Sequence, residues 1–212
     1  MFRPSLKDSQ RLPALPEFFP LVSHFAATLL LGPFCLLIAL WLASRVGRGE
    51  ALLWCACVLG VGLGVALFKI GFGACRSHWG DIRSPSGHTA FAAIAYGGFT
   101  VIAMGRSLSL RAVLFRIAIL AWVLLIGLSR VQLRAHSWGE VWCGLAIGLL
   151  GVAVFAGGYR SELRPPYRLA GGLLIAMLIA AILLPSIQGF VLEPYLRQFA
   201  RFLRPHVGWL CG

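Results

Sequence analysis

The sequence predicts an all-α protein that crosses a membrane six times. Of its 212 residues, 59% are hydrophobic and only 26 are charged, 19 of them basic and 7 acidic. A soluble globular domain has about 45 to 50% apolar and about 25% charged residues, and a disordered chain has fewer apolar residues still. The composition therefore excludes both classes and favours a polytopic membrane protein.

Long stretches without charge give the individual spans. A hydrocarbon core needs about 17 to 25 apolar residues. Five uncharged stretches meet this length, and they lie between Glu17 and Arg45, Glu50 and Lys69, Arg83 and Arg106, Glu140 and Arg160, and Arg168 and Glu193. A further span is predicted from Ala112 to Ser129, where Arg116 is near enough to the end to reach the membrane surface. The first stretch begins too late and runs too long for a cleavable signal peptide, so we expect a retained helix.

An even number of spans places both termini on one membrane face, called side A here, together with the loops 75–87 and 130–137. The other three loops form side B. Side B carries eight basic residues and side A ten. If part of the charge on side A serves a binding site, the positive-inside rule favours side B as the cytoplasmic face. The net charge of +12 is explained by contact with lipid headgroups, so no nucleic-acid partner is expected.

Residues 1–212 are expected to form a single domain, with an N-terminal tail over residues 1–20 and a basic amphipathic tail over residues 193–212. The C-terminal tail separates Tyr195, Phe199 and Leu203 from Arg197, Arg201 and Arg204. A frayed basic tail is the alternative. Four of the six cysteines lie in apolar spans and no CxxC pair is present, so neither a disulfide framework nor a metal site is expected.

Ionisable residues at the ends of the spans should meet on side A. Lys69 is near the end of the second span, and Arg76 follows seven residues later, almost two helical turns on. Arg130 ends the fourth span, while His136 and Glu140 stand at the start of the fifth. Because such groups are costly beside a membrane core, their convergence indicates a functional site.

The loop that enters the third span adds an anion-binding element to this group. Ser86, Gly87 and His88 would open a helix, whose free N–H groups and dipole favour an anion. Arginine binds phosphate oxygens through a bidentate fork. Two histidines can divide nucleophilic attack and proton transfer. The set of three cations, two histidines and one carboxylate therefore favours a phosphoryl substrate.

Ordinary structural explanations exist for each residue taken alone. Lys69 and Arg130 could extend to the membrane surface, and Ser86 could be a plain helix cap. Ser137 and Glu140 also fit a capping box at the start of the fifth span, and one carboxylate could fill both roles. His24 and His206 are expected to lie away from the motif, in structural or interfacial positions. His78 and Asp81 could contact a lipid headgroup, but solvation in their loop is the expectation.

These residues form a three-part pattern that resembles the type 2 phosphatidic acid phosphatase superfamily, which also includes the vanadium haloperoxidases. The family motifs are KxxxxxxRP, PSGH and SRxxxxxHxxxD. This chain has KIGFGACRS at residues 69–77, PSGH at residues 85–88 and SRVQLRAHSWGE at residues 129–140. The order and the internal spacing agree over residues 69–140, about a third of the chain.

The resemblance implies that His136 is the nucleophile and that His88 is the general acid, with Glu140 orienting His136. The phosphoryl oxygens would be bound by Lys69, Arg76, Ser86, Gly87 and Arg130. No metal and no cofactor is implied. Two positions depart from the pattern, because Ser77 replaces a proline and Glu140 replaces an aspartate. Glutamate adds one methylene of reach, so we expect its role to be retained with altered geometry.

The function expected from the resemblance is hydrolysis of a lipid phosphate in the membrane. The implied substrates are phosphatidate, phosphatidylglycerophosphate, undecaprenyl diphosphate and lipid A phosphates. The expected location is a bacterial inner membrane, with the active site on the extracytoplasmic side. Two alternatives are a lipid phosphotransferase and a non-catalytic scaffold or carrier that has kept the anion site.

Overall fold

A computed structural model describes residues 18–74 and 84–163, together with the single residues Pro165, Tyr195, Gln198, Phe199 and Phe202. Within these residues the fold is all-α and contains no strand. The helices are α1 (Phe18–His24), α2 (Thr28–Arg45), α3 (Arg48–Ala74), α4 (Gly87–Met104), α5 (Leu110–Gln132) and α6 (Trp138–Gly158).

Five segments of the described chain are long and apolar enough to cross a membrane. They are α1 with α2, then α3, α4, α5 and α6, and they confirm the first five predicted spans. The sequence predicts six spans, and the described residues contain five. The sixth span, between Arg168 and Glu193, lies outside the described residues and stays a prediction. Most of both predicted tails lies outside them as well.

Serine residues begin three of the helices. The side-chain oxygens of Ser86, Ser109 and Ser137 each accept a hydrogen bond from the backbone N–H three residues later, at 3.3 to 3.5 Å. Such caps satisfy one of the N–H groups that a helix start leaves without a partner. Two of the three caps, Ser86 and Ser137, stand at side A and fix where the chain re-enters the membrane there.

Helix α4 is the centre of the bundle and packs against α2, α3, α5 and α6. Of its residues 61% are buried, against 28 to 33% in the apolar part of each other span. The outer helices instead expose large apolar side chains, including Leu36, Leu40, Leu59, Leu63, Leu67, Ile117 and Leu150. Such a surface suits a lipid environment, where exposed leucine carries no penalty.

Two glycines of α6 let this helix approach α4 closely. A Cβ atom on Gly144 would lie 2.3 Å from the backbone oxygen of Ser86, and one on Gly148 would lie 2.5 Å from the backbone oxygen of Ala90. Small residues four apart are a common basis for tight helix packing in membranes. Through this contact, α6 holds the start of α4 against its own first turns.

The first span is interrupted, whereas the sequence predicted one helix. Residues 25–27 are not helical. The hydroxyl group of Tyr96 in α4 donates a hydrogen bond of 2.7 Å to the carbonyl of Phe25. A backbone carbonyl in a membrane must find a hydrogen-bond partner within the protein. The hydroxyl group of Tyr96 supplies this partner for Phe25, whose carbonyl is not bonded within a helix.

Candidate active site

The turn that ends α5 explains the spacing between Arg130 and His136. The backbone oxygen of Arg130 accepts hydrogen bonds from the N–H groups of Ala135 at 3.0 Å and His136 at 3.3 Å. Arg134, directly before Ala135, adopts a left-handed backbone conformation with φ 54°. This is a Schellman-type helix end. It reverses the chain after α5 and brings the backbone of His136 back to that of Arg130.

Glu140 connects three segments of the site. Its Oε2 atom lies 2.8 Å from Nδ1 of His136 and accepts a hydrogen bond of 3.1 Å from the N–H of Ser137. Its Oε1 atom accepts one of 2.8 Å from the N–H of Ser84, in the loop before α4. The residue is buried, with only 6% of it exposed. A buried carboxylate with this many donors is held in place by charge-assisted hydrogen bonds, each contributing about 1.5 to 3 kcal/mol.

Both structural explanations for Glu140 are therefore present together. The capping box with Ser137 is complete, and the contact with His136 uses the same carboxylate. A carboxylate at pH 7 only accepts hydrogen bonds, so Nδ1 of His136 carries the proton and Nε2 has a free lone pair. The imidazole is consequently fixed in the tautomer that a nucleophile needs.

The start of α4 presents backbone N–H groups toward the same region. The hydroxyl group of Ser86 is fully buried and bonded to Thr89, and the N–H of Ser86 donates to the backbone oxygen of Glu140 at 2.8 Å. The N–H groups of Gly87 and His88 have no acceptor among the described residues. These two amides, rather than the Ser86 side chain, are thus the groups at this helix start that an anion can reach.

No contact or backbone angle in the described part of the chain requires glycine at position 87. Its φ angle is not positive, and a Cβ atom there would meet only Cγ1 of Val65 at an ordinary 3.8 Å. A remaining physical reason for glycine at this position is that a ligand can approach the backbone closely there.

Arg130 and Lys69 bring positive charge to the two histidines. One guanidinium nitrogen of Arg130, Nη1, donates a hydrogen bond of 2.7 Å to the hydroxyl of Ser23 in α1. Its Nε atom is buried and has no hydrogen-bond partner in the described structure. Arg130 and Lys69 both lie within electrostatic range of His88 and His136. A buried donor without a partner is costly, so Arg130 is suited to receive an anionic oxygen.

Burial lowers the pKa of His136 below its usual value. The hydrogen bond and the negative charge of Glu140 oppose this effect, whereas the charges of Arg130 and Lys69 add to it. The net lowering favours the neutral imidazole, which has one unprotonated ring nitrogen that can act as a nucleophile or a base.

The structure brings together most of the residues that the sequence singled out. Gathered at side A are Lys69, Ser86, Gly87, His88, Arg130, His136 and Glu140. Arg76 and Ser77 lie outside the described residues. Among the residues that are described, no three His, Cys, Asp or Glu side chains are placed to hold a metal ion.

Two residues of α1 were not predicted to take part in the site. Ser23 binds Arg130, and His24 lies within electrostatic range of His88. The expectation that His24 lies away from the motif is wrong, because α1 packs against α5 at the same end of the bundle. The available signal was an ionisable group within an otherwise uncharged span.

Comparison with known proteins agrees with this geometry. A family model, the PAP2 superfamily, matches residues 51–162, which include every described residue of the three motifs. Searches of curated proteins and of solved structures gave no match. The match covers more than half of the chain and points to phosphatase-type chemistry on a membrane-associated substrate. This protein therefore belongs to the PAP2 superfamily.

Proposed function

We propose that this protein is an integral-membrane lipid phosphatase that hydrolyses a phosphomonoester or a diphosphate through a phosphohistidine on His136. The observation that carries the proposal is the 2.8 Å contact between Nδ1 of His136 and Glu140, which leaves Nε2 free. Membership of the PAP2 superfamily and the five apolar spans support a phosphate ester whose tail stays in lipid.

In the first step, Nε2 of His136 attacks phosphorus. The P–N bond forms, the bond from phosphorus to the leaving oxygen breaks, and His88 gives its proton to that oxygen. Lys69, Arg130 and the N–H groups of Gly87 and His88 stabilise the phosphoryl oxygens as charge redistributes. Arg76 is a further proposed ligand of these oxygens, and Ser86 contributes by capping the helix. A phosphate dianion also supplies the negative charge that a protonated His88 needs beside two cations.

In the second step, water attacks the phosphohistidine. The new P–O bond forms, the P–N bond breaks, and the proton of the water passes to His88. His136 returns to its neutral form with Nδ1–H still held by Glu140. The same histidine pair thus serves both steps, with His88 acting first as an acid and then as a base.

The proposed substrates are phosphatidate, phosphatidylglycerophosphate, undecaprenyl diphosphate and lipid A phosphates. All four present phosphate at the membrane surface and keep their hydrocarbon chains in the bilayer. The site residues lie at the ends of helices on side A. Lipid headgroups lie at the same depth in a membrane.

The test is phosphate release by purified protein from a panel of these lipids, with EDTA and with vanadate in separate arms. We expect activity that survives EDTA, falls with vanadate and disappears in His136→Ala. An absolute requirement for a metal ion would contradict the proposed mechanism.

The same assay separates the two alternatives. Phosphate that appears on an added acceptor lipid, in place of free phosphate, would identify a phosphotransferase. Binding of lipid phosphates without any turnover would identify a scaffold or carrier.

We further propose that side A faces the extracytoplasmic side of a bacterial inner membrane, because part of the basic charge on side A is assigned to the proposed site and the positive-inside rule then favours side B as the cytoplasmic face. Single cysteines can test this in a background without Cys75 and Cys211. On intact spheroplasts, a membrane-impermeant maleimide should label Leu133→Cys on side A and spare Leu108→Cys on side B. The reverse pattern would invert the orientation.

A further inference from the structure

A cavity of about 250 Å³ lies at side B, where α4 and α6 end beside the first turns of α5. Three arginines help to line it, namely Arg106, Arg116 and Arg160. Glu162 lines it as well and brings one negative charge. Positive charge therefore exceeds negative charge in the wall of this cavity, which we call the side B cavity.

Arg116 is fixed in the cavity wall by the backbone. Its Nη2 atom donates a hydrogen bond of 2.5 Å to the backbone oxygen of Gly105, and its Nη1 atom donates one of 2.9 Å to that of Ser107. These two bonds leave further N–H donors of the guanidinium for a ligand. Because the cation is held in place before a ligand arrives, less conformational freedom is lost on binding.

Arg106 and Arg160 add positive charge that the described chain does not neutralise. Both residues are exposed, and within the described chain neither side chain forms a hydrogen bond or an ion pair. Like charges around one cavity repel one another, whereas an anion between them is attracted by all three arginines. A guanidinium binds phosphate oxygens through a bidentate fork. The excess of arginine therefore favours a phosphate group as the ligand.

The depth of the side B cavity suits the headgroup of a phospholipid. Val101 and Ala156 lie in the last turns of α4 and α6 and give the wall apolar side chains, and the arginines at positions 106 and 160 follow these helix ends. A phospholipid has the same order, with its phosphate at the membrane surface and its hydrocarbon toward the core. A water molecule occupies about 30 Å³ in the liquid. The cavity thus has room for a phosphate with a few attached atoms, while the acyl chains would lie outside it.

We infer that the side B cavity is a binding site for a phosphate group, which the headgroup of an anionic phospholipid or free phosphate can supply. The sequence of apolar and basic residues along the wall favours the lipid. A ligand held there contacts the ends of α4 and α6 together and stabilises the folded bundle by mass action. The inference is independent of the reaction proposed at side A, so either can fail alone.

The test measures thermal unfolding of the full-length protein in detergent micelles over a range of phosphatidylglycerol concentrations. This lipid is a phosphodiester and is not one of the proposed substrates. We expect Tm to rise with lipid concentration, which gives an apparent Kd. Phosphatidylcholine with the same acyl chains has no net charge and should raise Tm much less. A third arm uses inorganic phosphate, with chloride at matched ionic strength as its reference.

Substitutions of the two exposed arginines test the site itself. A protein with both Arg106→Gln and Arg160→Gln should have an apparent Kd for phosphatidylglycerol about tenfold higher or more, because charge-assisted hydrogen bonds are lost. Its Tm without lipid should stay close to that of wild type, because neither side chain has a partner in the described chain. The corresponding double lysine variant keeps the charges without the forks and should have an intermediate Kd. Arg116 stays unchanged, because its bonds also hold the turn after α4.

The matched control combines Arg48→Gln with Arg111→Gln. These substitutions remove the same charge from side B at exposed positions that do not line the cavity. The control should change the apparent Kd by less than about threefold, since exposed charges away from a ligand are screened by solvent and salt.

A Kd that rises as much in the control as in the cavity variant would show attraction to diffuse surface charge and overturn the inference. Equal stabilisation by phosphatidylcholine, or no stabilisation in any arm, would overturn it too. Stabilisation by inorganic phosphate that is lost in the cavity variant would support the site and identify free phosphate as its ligand. Hydrolysis of lipid phosphates by the cavity variant should stay within about twofold of wild type, so the outcome at side B is read separately from the phosphatase proposal.

Discussion

At side B the charged side chains form hydrogen bonds with backbone groups at helix ends, whereas at side A ionisable side chains also contact one another. On side B, Arg116 donates hydrogen bonds to the backbone oxygens of Gly105 at 2.5 Å and Ser107 at 2.9 Å. Glu50 likewise accepts from the backbone N–H of Arg160 at 3.1 Å. On side A, the carboxylate of Glu140 binds an imidazole as well as backbone groups.

The two ends also differ in what they leave unpaired. Within the described chain, the buried side-chain atoms without a hydrogen-bond partner are Nε of Arg130 and Nδ1 of His24 on side A, and Oε2 of Glu50 on side B. Side B even has a cavity of about 250 Å³ that three arginines help to line, but no histidine lines it. Positive charge and space are therefore common to both ends. A positioned imidazole beside unpaired donors is found at side A, and this combination supports the catalysis proposed there.

The largest expected effect is a loss of activity when the arginine of side A is substituted, compared with little loss for the arginine of side B. Arg130→Ala should lower kcat/KM on a lipid phosphate by about 10² to 10³, because a donor to the phosphoryl oxygens is lost. Arg116→Ala, the matched variant at side B, should lower thermal stability in detergent and leave kcat/KM of the folded protein within about twofold. Similar losses of activity in both variants would remove the distinction between the ends.

Substitutions of Glu140 test whether its carboxylate orients His136 or only caps α6. Glu140→Gln should reduce kcat by about 10², because an amide cannot accept from His136, Ser137 and Ser84 together. Glu140→Asp should retain more activity, since the charge is kept while the reach is shortened. If Glu140→Gln turns over substrate as fast as wild type, the carboxylate is not orienting His136.

Substitutions of two glycines at side A should both lower activity but differ in their effect on stability. Gly144→Ala should lower both stability, by about 1 to 3 kcal/mol, and activity, by about tenfold, because its Cβ would collide with the backbone of Ser86. Gly87→Ala should leave stability unchanged or slightly raised yet lower activity by about tenfold, because the described neighbours leave room for a Cβ atom while a bound phosphate would need that space. Thermal melting and kcat/KM measure the two effects separately.

The control for both variants is Gly157→Ala in α6, at the side B end, where a Cβ atom would meet nothing within 4 Å. It should match wild type in activity. A Gly87→Ala protein with full activity would mean that substrate does not approach this backbone.

The smallest expected effect is a shift in pH dependence. Because burial lowers the pKa of His136, the acid limb of the kcat/KM profile should fall below pH 6.5, the ordinary value for histidine. Glu140 raises that pKa, so its removal in Glu140→Gln should move the acid limb to still lower pH. An acid limb that moved upward in this variant would contradict the assignment of His136.

Much of the fold could be predicted because a membrane imposes one dominant constraint. The lengths of the uncharged stretches predicted four spans that the structure contains, and a further span, predicted despite Arg116, is present as well. The broken first span could not be predicted in this way. Its break depends on the hydroxyl group of Tyr96, which is 71 residues away in the sequence, and local periodicity carries no information about such a contact.

The site was predictable where local geometry fixes it and not elsewhere. The contact between His136 and Glu140 follows from their four-residue spacing, and the Ser137 cap follows from its position before α6. The links from Glu140 to Ser84 and from Arg130 to Ser23 join distant segments, so they appear only in the folded protein. The same is true of the position of His24 near the site, which depends on where α1 packs.

The most direct test of the central claim is to trap the covalent intermediate. Wild-type protein mixed with a lipid phosphate, quenched within one turnover at alkaline pH and digested, should carry a phosphoryl group on His136 by mass spectrometry. The adduct should be absent from His136→Ala and should accumulate in a variant with slowed hydrolysis, His88→Ala, given a substrate with a good leaving group. Full phosphate release by His136→Ala, or an adduct on another residue, would contradict the account.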